Sequence, residues 1–204
     1  MVKFYIIAFA VTSLLPTLCN GLPFCSWGKL ERSQINEYVL NPVNEARRIL
    51  ATGKQKNGYG GENLPATKRM TKLLGSCRLE NKDIRTSSGW CMFKEDPIDG
   101  DRWATLFQQG YGFGDPIDAR IIKTIFQKDL NAINIFPLEG VTPRRVVYKE
   151  NTPPVLQNYV NIIRSNVTRI GCAFLKCNEP QDPYAVYCVT YSKKLNDGDV
   201  IYEA

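Results

Sequence analysis

Seven cysteines, six of them beyond residue 21, one run of carboxylates and the complete absence of histidine bound the chemistry this chain can perform. Cys25, Cys77, Cys91, Cys172, Cys177 and Cys188 form an even set once Cys19 is removed with a leader, and an even set in an oxidising compartment reads as three disulfides. The nearest spacing, Cys172 to Cys177, is not the close Cys-x-x-Cys that a zinc site would use. A nucleophilic mechanism needs Ser or Cys beside a base, usually His. With every mature cysteine expected to be oxidised and no histidine present, the chain reads as a non-enzyme. Asp96, Asp99 and Asp101 gather near Glu95, but their spacing is not that of the roughly twelve-residue calcium loop, and they read as an exposed loop, at most a calcium loop. No cofactor is expected.

The leader is read from Lys3, the apolar stretch Phe4 to Leu15 and the small-x-small Cys19-Asn20-Gly21, with cleavage after Gly21. Residues 1–21 are thus expected to be a signal peptide and 22–204 a single domain with room for a sizeable core. The apolar run falls short of the roughly 18 residues a spanning helix needs, and no later segment approaches it. Removing Lys3 from the 26 basic residues leaves a charge of about +5 against 20 acids. Lys68-Arg69 and Arg144-Arg145 are isolated pairs rather than a basic stripe with interleaved aromatics, which argues against nucleic acid. An anionic extracellular partner such as a heparan-type glycan is compatible with the surplus.

The elements that must position these residues follow from periodicity. Ser33 can cap a helix carrying Ile35, Val39, Val43, Ala46, Ile49 and Leu50, with a kink or restart at Asn41-Pro42 and Gly53 as the stop. Gly58-Tyr59-Gly60-Gly61 reads as a turn, and Pro65 to Leu74 as a short helix with Met70 and Leu74 inward. Cys77 to Trp90 is ambiguous. Asp115-Pro116 starts a helix with the stripe Ile117, Ile121, Ile122 and Ile125, and Thr152-Pro153-Pro154 launches another over Val155 to Arg164. Gly171 to Leu175 and Tyr184 to Tyr191 form a hairpin about the turn near Pro180, which sets Cys172 opposite Cys188. The odd separation from Cys172 puts Cys177 on the other face, where it needs a partner from a helical segment. Helices followed by a hairpin suggest an α+β fold.

Asn158-Tyr159-Val160-Asn161-Ile162-Ile163, followed by Gly171-Cys172-Ala173-Phe174-Leu175-Lys176-Cys177, resembles the His-Tyr-Thr-Gln-Met-Val segment and Gly-Cys-x-x-x-x-Cys of the CAP superfamily. Asn44-Glu45-Ala46-Arg47 ending in Gly53, the Gly58 to Gly61 loop, Cys77-Arg78-Leu79-Glu80, Cys91-Met92-Phe93-Lys94 and Ile201-Tyr202-Glu203 are similar to the nematode activation-associated, or venom-allergen-like, branch. The resemblance implies a secreted three-layer α-β-α sandwich. In that family two His and two Glu line a cleft that can hold a divalent metal. Here the corresponding positions carry Glu95, Asn158, Ala104 (within the Ala104 to Phe107 remnant of Gly-Glu-Asn-Ile-Phe) and Lys128, a degenerate cleft in which Glu95 can pair with Lys128 and in which no metal is expected.

Besides Cys172 with Cys188, the expected disulfides are Cys77 with Cys177, because Cys177 faces away from Cys172, and Cys25 with Cys91, by elimination and in agreement with the family's general pattern. The resemblance implies non-catalytic binding of a host extracellular protein, whether a cell-surface receptor, an integrin or an immune component. The alternative that the resemblance implies is an extracellular lipid or sterol carrier. Trp103 to Gly114 and Asn134 to Glu150 read as long connections offering interaction surface. Within and beside them Trp103, Phe107, Tyr111 and Phe113 are either binding anchors or packed residues, and Arg144 and Arg145 are either partner contacts or solvated surface. Asn166-Val167-Thr168 is a sequon just past a helix end, so Asn166 is expected to be exposed and glycosylated.

Overall fold

The computed structural model describes residues 23–26, 28, 30–80, 104–110, 119–177 and 184–204; for 104–110, 175 and 176 it describes the backbone only. The first helix among the described residues is α1 (Arg32–Gln34), and its N-cap is Glu31, whose backbone N–H donates to the Gln34 side-chain oxygen at 2.9 Å. Ser33, expected as the cap, lies inside this turn and donates to the Glu31 carboxylate. The expected interruption at Pro42 takes a different form. Ile35–Leu40 is π-helical, with the Asn41 N–H bonded five residues back to Asn36, and α2 (Asn41–Ala51) follows directly. The wider π-turn absorbs the missing donor and ring bulk of proline without breaking the helical run. At the far end Gly53 takes φ 66°, and the bonds Gly53 N–H to Leu50 and Lys54 N–H to Ile49 close a Schellman motif.

Pro65 to Leu74 is not the expected helix. It runs as non-helical chain beside α2, because side chains of α2 satisfy its backbone: Asn44 bonds both the N–H and the C=O of Leu73, and Arg47 takes the carbonyl of Thr71. Leu73 is therefore the buried residue and Leu74 is exposed. Such long-range hydrogen bonds override local helical spacing. Arg47, 1% exposed, also donates to the carbonyls of Ile162, Arg164 and Val167, fastening three chain segments at one guanidinium.

The central sheet has strand order β1 (Leu74–Gly75), β4 (Arg169–Lys176), β5 (Tyr184–Thr190), β2 (Ala104–Gly110), antiparallel except for β1 with β4. A separate antiparallel pair joins β3 (Arg145–Val147) to β6 (Val200–Glu203). One sheet face, with Ile170, Cys172, Phe174, Val186 and Cys188, packs against Ile35, Val39 and Val43 and against Ile122, Ile125 and Phe126 of α4 (Arg120–Asn131). The other face, with Ala173, Ala185, Tyr187 and Val189, packs on Leu79 of α3 (Cys77–Leu79). Helix, sheet and helix thus make the three layers of an α+β sandwich. A further core around Leu50, Ile133, Tyr159, Ile163 and Tyr202 ties β3 and β6 to α2 and to α5 (Gln157–Ile163).

The hairpin places Cys172 directly opposite Cys188, 4.1 Å apart at Cα and disulfide-bonded. Cys177 lies on the opposite face, with the Leu79 cluster, and is itself disulfide-bonded. The other two expected pairings are corrected: Cys25 is bonded to Cys77, with Cα atoms 5.2 Å apart, so neither Cys25 with Cys91 nor Cys77 with Cys177 forms. The face of Cys177 left its helical partner open, and elimination then misplaced Cys25, because neither shows that β1 runs directly into α3 and carries Cys77 back to the N-terminal lead, where Phe24 stands over Gly75. Ala104 to Gly110, expected within a long connection, is an edge strand whose Phe107 pairs with Tyr187. The seven-residue β5 run needs a partner on each side, and this segment supplies the second.

Candidate binding cleft and apolar surface patch

Asn158, near the start of α5, is half-buried and points at α4. Its side-chain N–H donates to Oδ2 of Asp129 at 2.7 Å. Asp129 is 9% exposed, and burial raises its carboxyl above the usual carboxylate range, with the Asn158 bond and the charge of Lys128 pulling partly back. Tyr159, the next residue, turns the other way into the core. α5 also lies against β2, which Ala104 opens. Three of the expected cleft positions thus converge on α4, α5 and β2, but Lys128 does not face the cleft. It is exposed, and Asp129 takes the inward position. The helical stripe contains the missed signal: Ile122, Ile125 and Phe126 are buried, and the next position on that face is 129, one residue or about 100° beyond Lys128. The cleft therefore retains a carboxylate. Glu95, and with it the expected pair with Lys128, lies outside the described residues, as do Trp103, Tyr111 and Phe113.

The donor set does not suit a zinc ion. Zinc takes imidazole nitrogen, thiolate or ionised carboxylate, whereas Asn158 presents an N–H donor and the Asp129 oxygen it binds is already engaged by that bond. Among the described residues no group of three or more His, Cys, Asp or Glu side chains is gathered closely enough to hold a metal.

A second feature lies at the turn Gly58 to Gly61. Gly58 and Gly60 have φ of 79° and 70°, which lets the turn fold onto the segment after α4: Gly58 N–H bonds Ile133 and Tyr59 N–H bonds Ile135. A side chain at Gly58 would be strained by that φ and would press on Pro137 at 3.0 Å. Asn57 clamps the same segment, bonding the N–H and the C=O of Leu138. The result is a braced patch of Tyr59, Ile135 and Phe136, exposed by 93%, 62% and 40%. Ile135 and Phe136 fall in the expected Asn134 to Glu150 surface; Arg144 and Arg145, also exposed, stand at and in β3. Asn166 is exposed in the turn after α5.

The profile of the cysteine-rich secretory protein family, CAP, matches residues 40–191. The chain belongs to the CAP family. CAP proteins are typically secreted and generally non-catalytic. No curated protein matches the sequence. Among solved structures the fold is shared with nematode proteins. NaASP2 with Zn2+ is 16% identical, with 88% of this chain and 90% of that one covered at TM-score 0.67. BmVAL-1 is 19% identical over 88% and 86% at TM-score 0.67. Na-ASP-1 is 22% identical over 88% of this chain at TM-score 0.69, but this chain spans only 44% of its length. These likenesses, all below 25% identity, show that the CAP chain shares the fold of those structures. Among the described residues no helix is long and apolar enough to cross a membrane.

Proposed function

We propose that this CAP domain is a secreted, non-catalytic binding protein that engages a host extracellular protein, of the cell-surface receptor, integrin or immune-component class, through its surface rather than its cleft. The observation that carries the reading is the patch of Tyr59, Ile135 and Phe136. Large apolar side chains held at such exposure by a hydrogen-bonded scaffold gain nothing in the free domain. Aromatic and aliphatic anchors on a rigid turn lose little entropy on docking, and this is the usual composition of an interface centre. The cleft supports the same reading, since no histidine is present and its amide and carboxyl are committed to each other.

The test is crosslinking capture from host plasma and blood-cell membranes, comparing the natural chain with Ile135→Asp/Phe136→Asp. A partner captured by the first and lost with the second supports the patch; equal capture by both contradicts it.

A second reading, carriage of a lipid or sterol, has its own observation. A groove of about 620 Å³ runs between α2 and α4 with Ala46, Ile49 and Leu130 along it, though Gln55, Gln127 and Asn131 also line it. Mass spectrometry of lipid extracted from the secreted protein separates the two. A stoichiometric co-purifying lipid would favour the carrier.

A further inference from the structure

The acidic residues of the chain are missing from two stretches, 63–79 and 151–178, and the fold lays these side by side. Leu74 in β1 stands opposite Arg169 in β4, and the Leu74 N–H bonds the carbonyl of Thr168. Arg47 reinforces the contact from below by donating to Thr71 and to Val167 with the same guanidinium. Lys68, Arg69 and Lys72 therefore approach Arg169 along one sheet edge, and all four are exposed. Among the described residues none of them forms an ion pair; the nearest acid at that groove, Glu45, is engaged by Arg48.

At no more than about 3.5 Å per residue the strip is at most roughly 20 Å long. That exceeds the Debye length of about 8 Å at physiological salt, so the four charges do not act as one field, and a polyanion would engage them as separate contacts along its length. Arginine forks and lysine point charges suit tetrahedral oxyanions, and the exposed Thr71 and Thr168 hydroxyls between them suit sugar hydroxyls. No aromatic residue is interleaved at 66–74 or 166–170, so there is no stacking platform for nucleic-acid bases. Leu74 is the one exposed large apolar residue of the strip among the described residues, too little to seat in a bilayer.

We propose that Lys68, Arg69, Lys72 and Arg169 form a docking strip for a sulfated glycosaminoglycan chain. The proposal rests on the extracellular part of the proposed function and is independent of its protein partner.

The test uses immobilised heparin as probe, over a salt series, with every protein in an Asn166→Gln background so that no glycan on this exposed neighbour screens the strip. The strip variant Lys68→Ala/Arg69→Ala/Lys72→Ala is compared with Lys54→Ala/Arg144→Ala/Arg145→Ala, which removes the same charge from exposed positions elsewhere. Matching unfolding midpoints establish that both are folded. The strip variant is expected to bind at least about tenfold more weakly, with a log affinity against log salt slope shallower by about 2 to 3, as expected when three ionic contacts are lost. The control is expected to stay within about twofold, by the same counterion accounting. Equal weakening of both variants, or no heparin binding by the parent at physiological salt, overturns the proposal. So does equally tight binding of single-stranded DNA or phosphatidylserine vesicles through the same residues. If heparin binding fails while the Ile135/Phe136-dependent partner is still captured, only the strip is refuted.

Discussion

Replacing Arg47 by methionine tests whether one buried cation organises the junction of α2, the Thr71 segment and the end of α5. The guanidinium makes four hydrogen bonds to the carbonyls of Thr71, Ile162, Arg164 and Val167, at 2.5 to 3.0 Å. At the low end of about 1.5 kcal/mol for a charge-assisted bond, the set contributes about 6 kcal/mol. Against this, burial lowers the Arg47 pKa to about 10, a cost of roughly 3 kcal/mol that methionine does not carry. The expected net loss is about 3 kcal/mol, below the simple sum because the variant is spared the desolvation. In urea unfolding at pH 7, with an m-value near 2 kcal/mol/M, this moves the midpoint down by about 1.5 M. Arg47→Lys, which keeps the charge but not the planar fork, is expected to recover less than half of the loss. A methionine variant shifted by less than about 0.5 M would refute the reasoning, because four orphaned carbonyls would then have cost almost nothing.

Glu80 is buried beneath Gly28, and burial pushes its carboxyl from 4.5 up to about 7. The native state therefore keeps a proton that the unfolded chain releases, so this group's contribution is favourable below pH 4.5 and is lost as pH rises to 7. Glu80→Gln is expected to be more stable than the parent by up to about 3 kcal/mol at pH 8 and equal to it at pH 4; a difference independent of pH in thermal or urea unfolding would count against this. Asn166 is expected to carry a glycan when the chain is secreted from eukaryotic cells, read as a mass loss on enzymatic deglycosylation that Asn166→Gln abolishes; an unchanged mass shows an empty sequon.

Much of the fold was legible where local and tertiary demands agree. The Cys172 to Cys188 bridge follows from hairpin symmetry, the stop at Gly53 from its glycine, and the burial of Ile122 and Ile125 on α4 from helical spacing, whereas Ile121 is only partly buried and Ile117, with the expected start at Asp115-Pro116, lies outside the described residues. Legibility failed where distant groups decide. Met70 and Leu74 have helical spacing, yet Asn44 and Arg47 hold that segment out of a helix with bonds no local pattern announces. Cys25 and Cys77 are joined by the course of β1 into α3, which elimination among cysteines cannot see. Asp129 was hidden by alignment to a motif that pointed at Lys128, although the buried stripe led to it. The Gly58 to Gly61 turn was evident, but its meeting with Ile135 and Phe136 arises only in the folded chain.

A function carried by the surface rather than the cleft predicts that the cleft takes up no zinc. Calorimetric titration of the intact protein with zinc tests this directly, with Asp129→Ala and Glu95→Ala as companions. The expected result is no saturable heat at micromolar zinc, because one shielded carboxyl and an amide donor cannot replace imidazole ligands. A stoichiometric heat abolished by Asp129→Ala or Glu95→Ala would contradict the account and return function to the cleft.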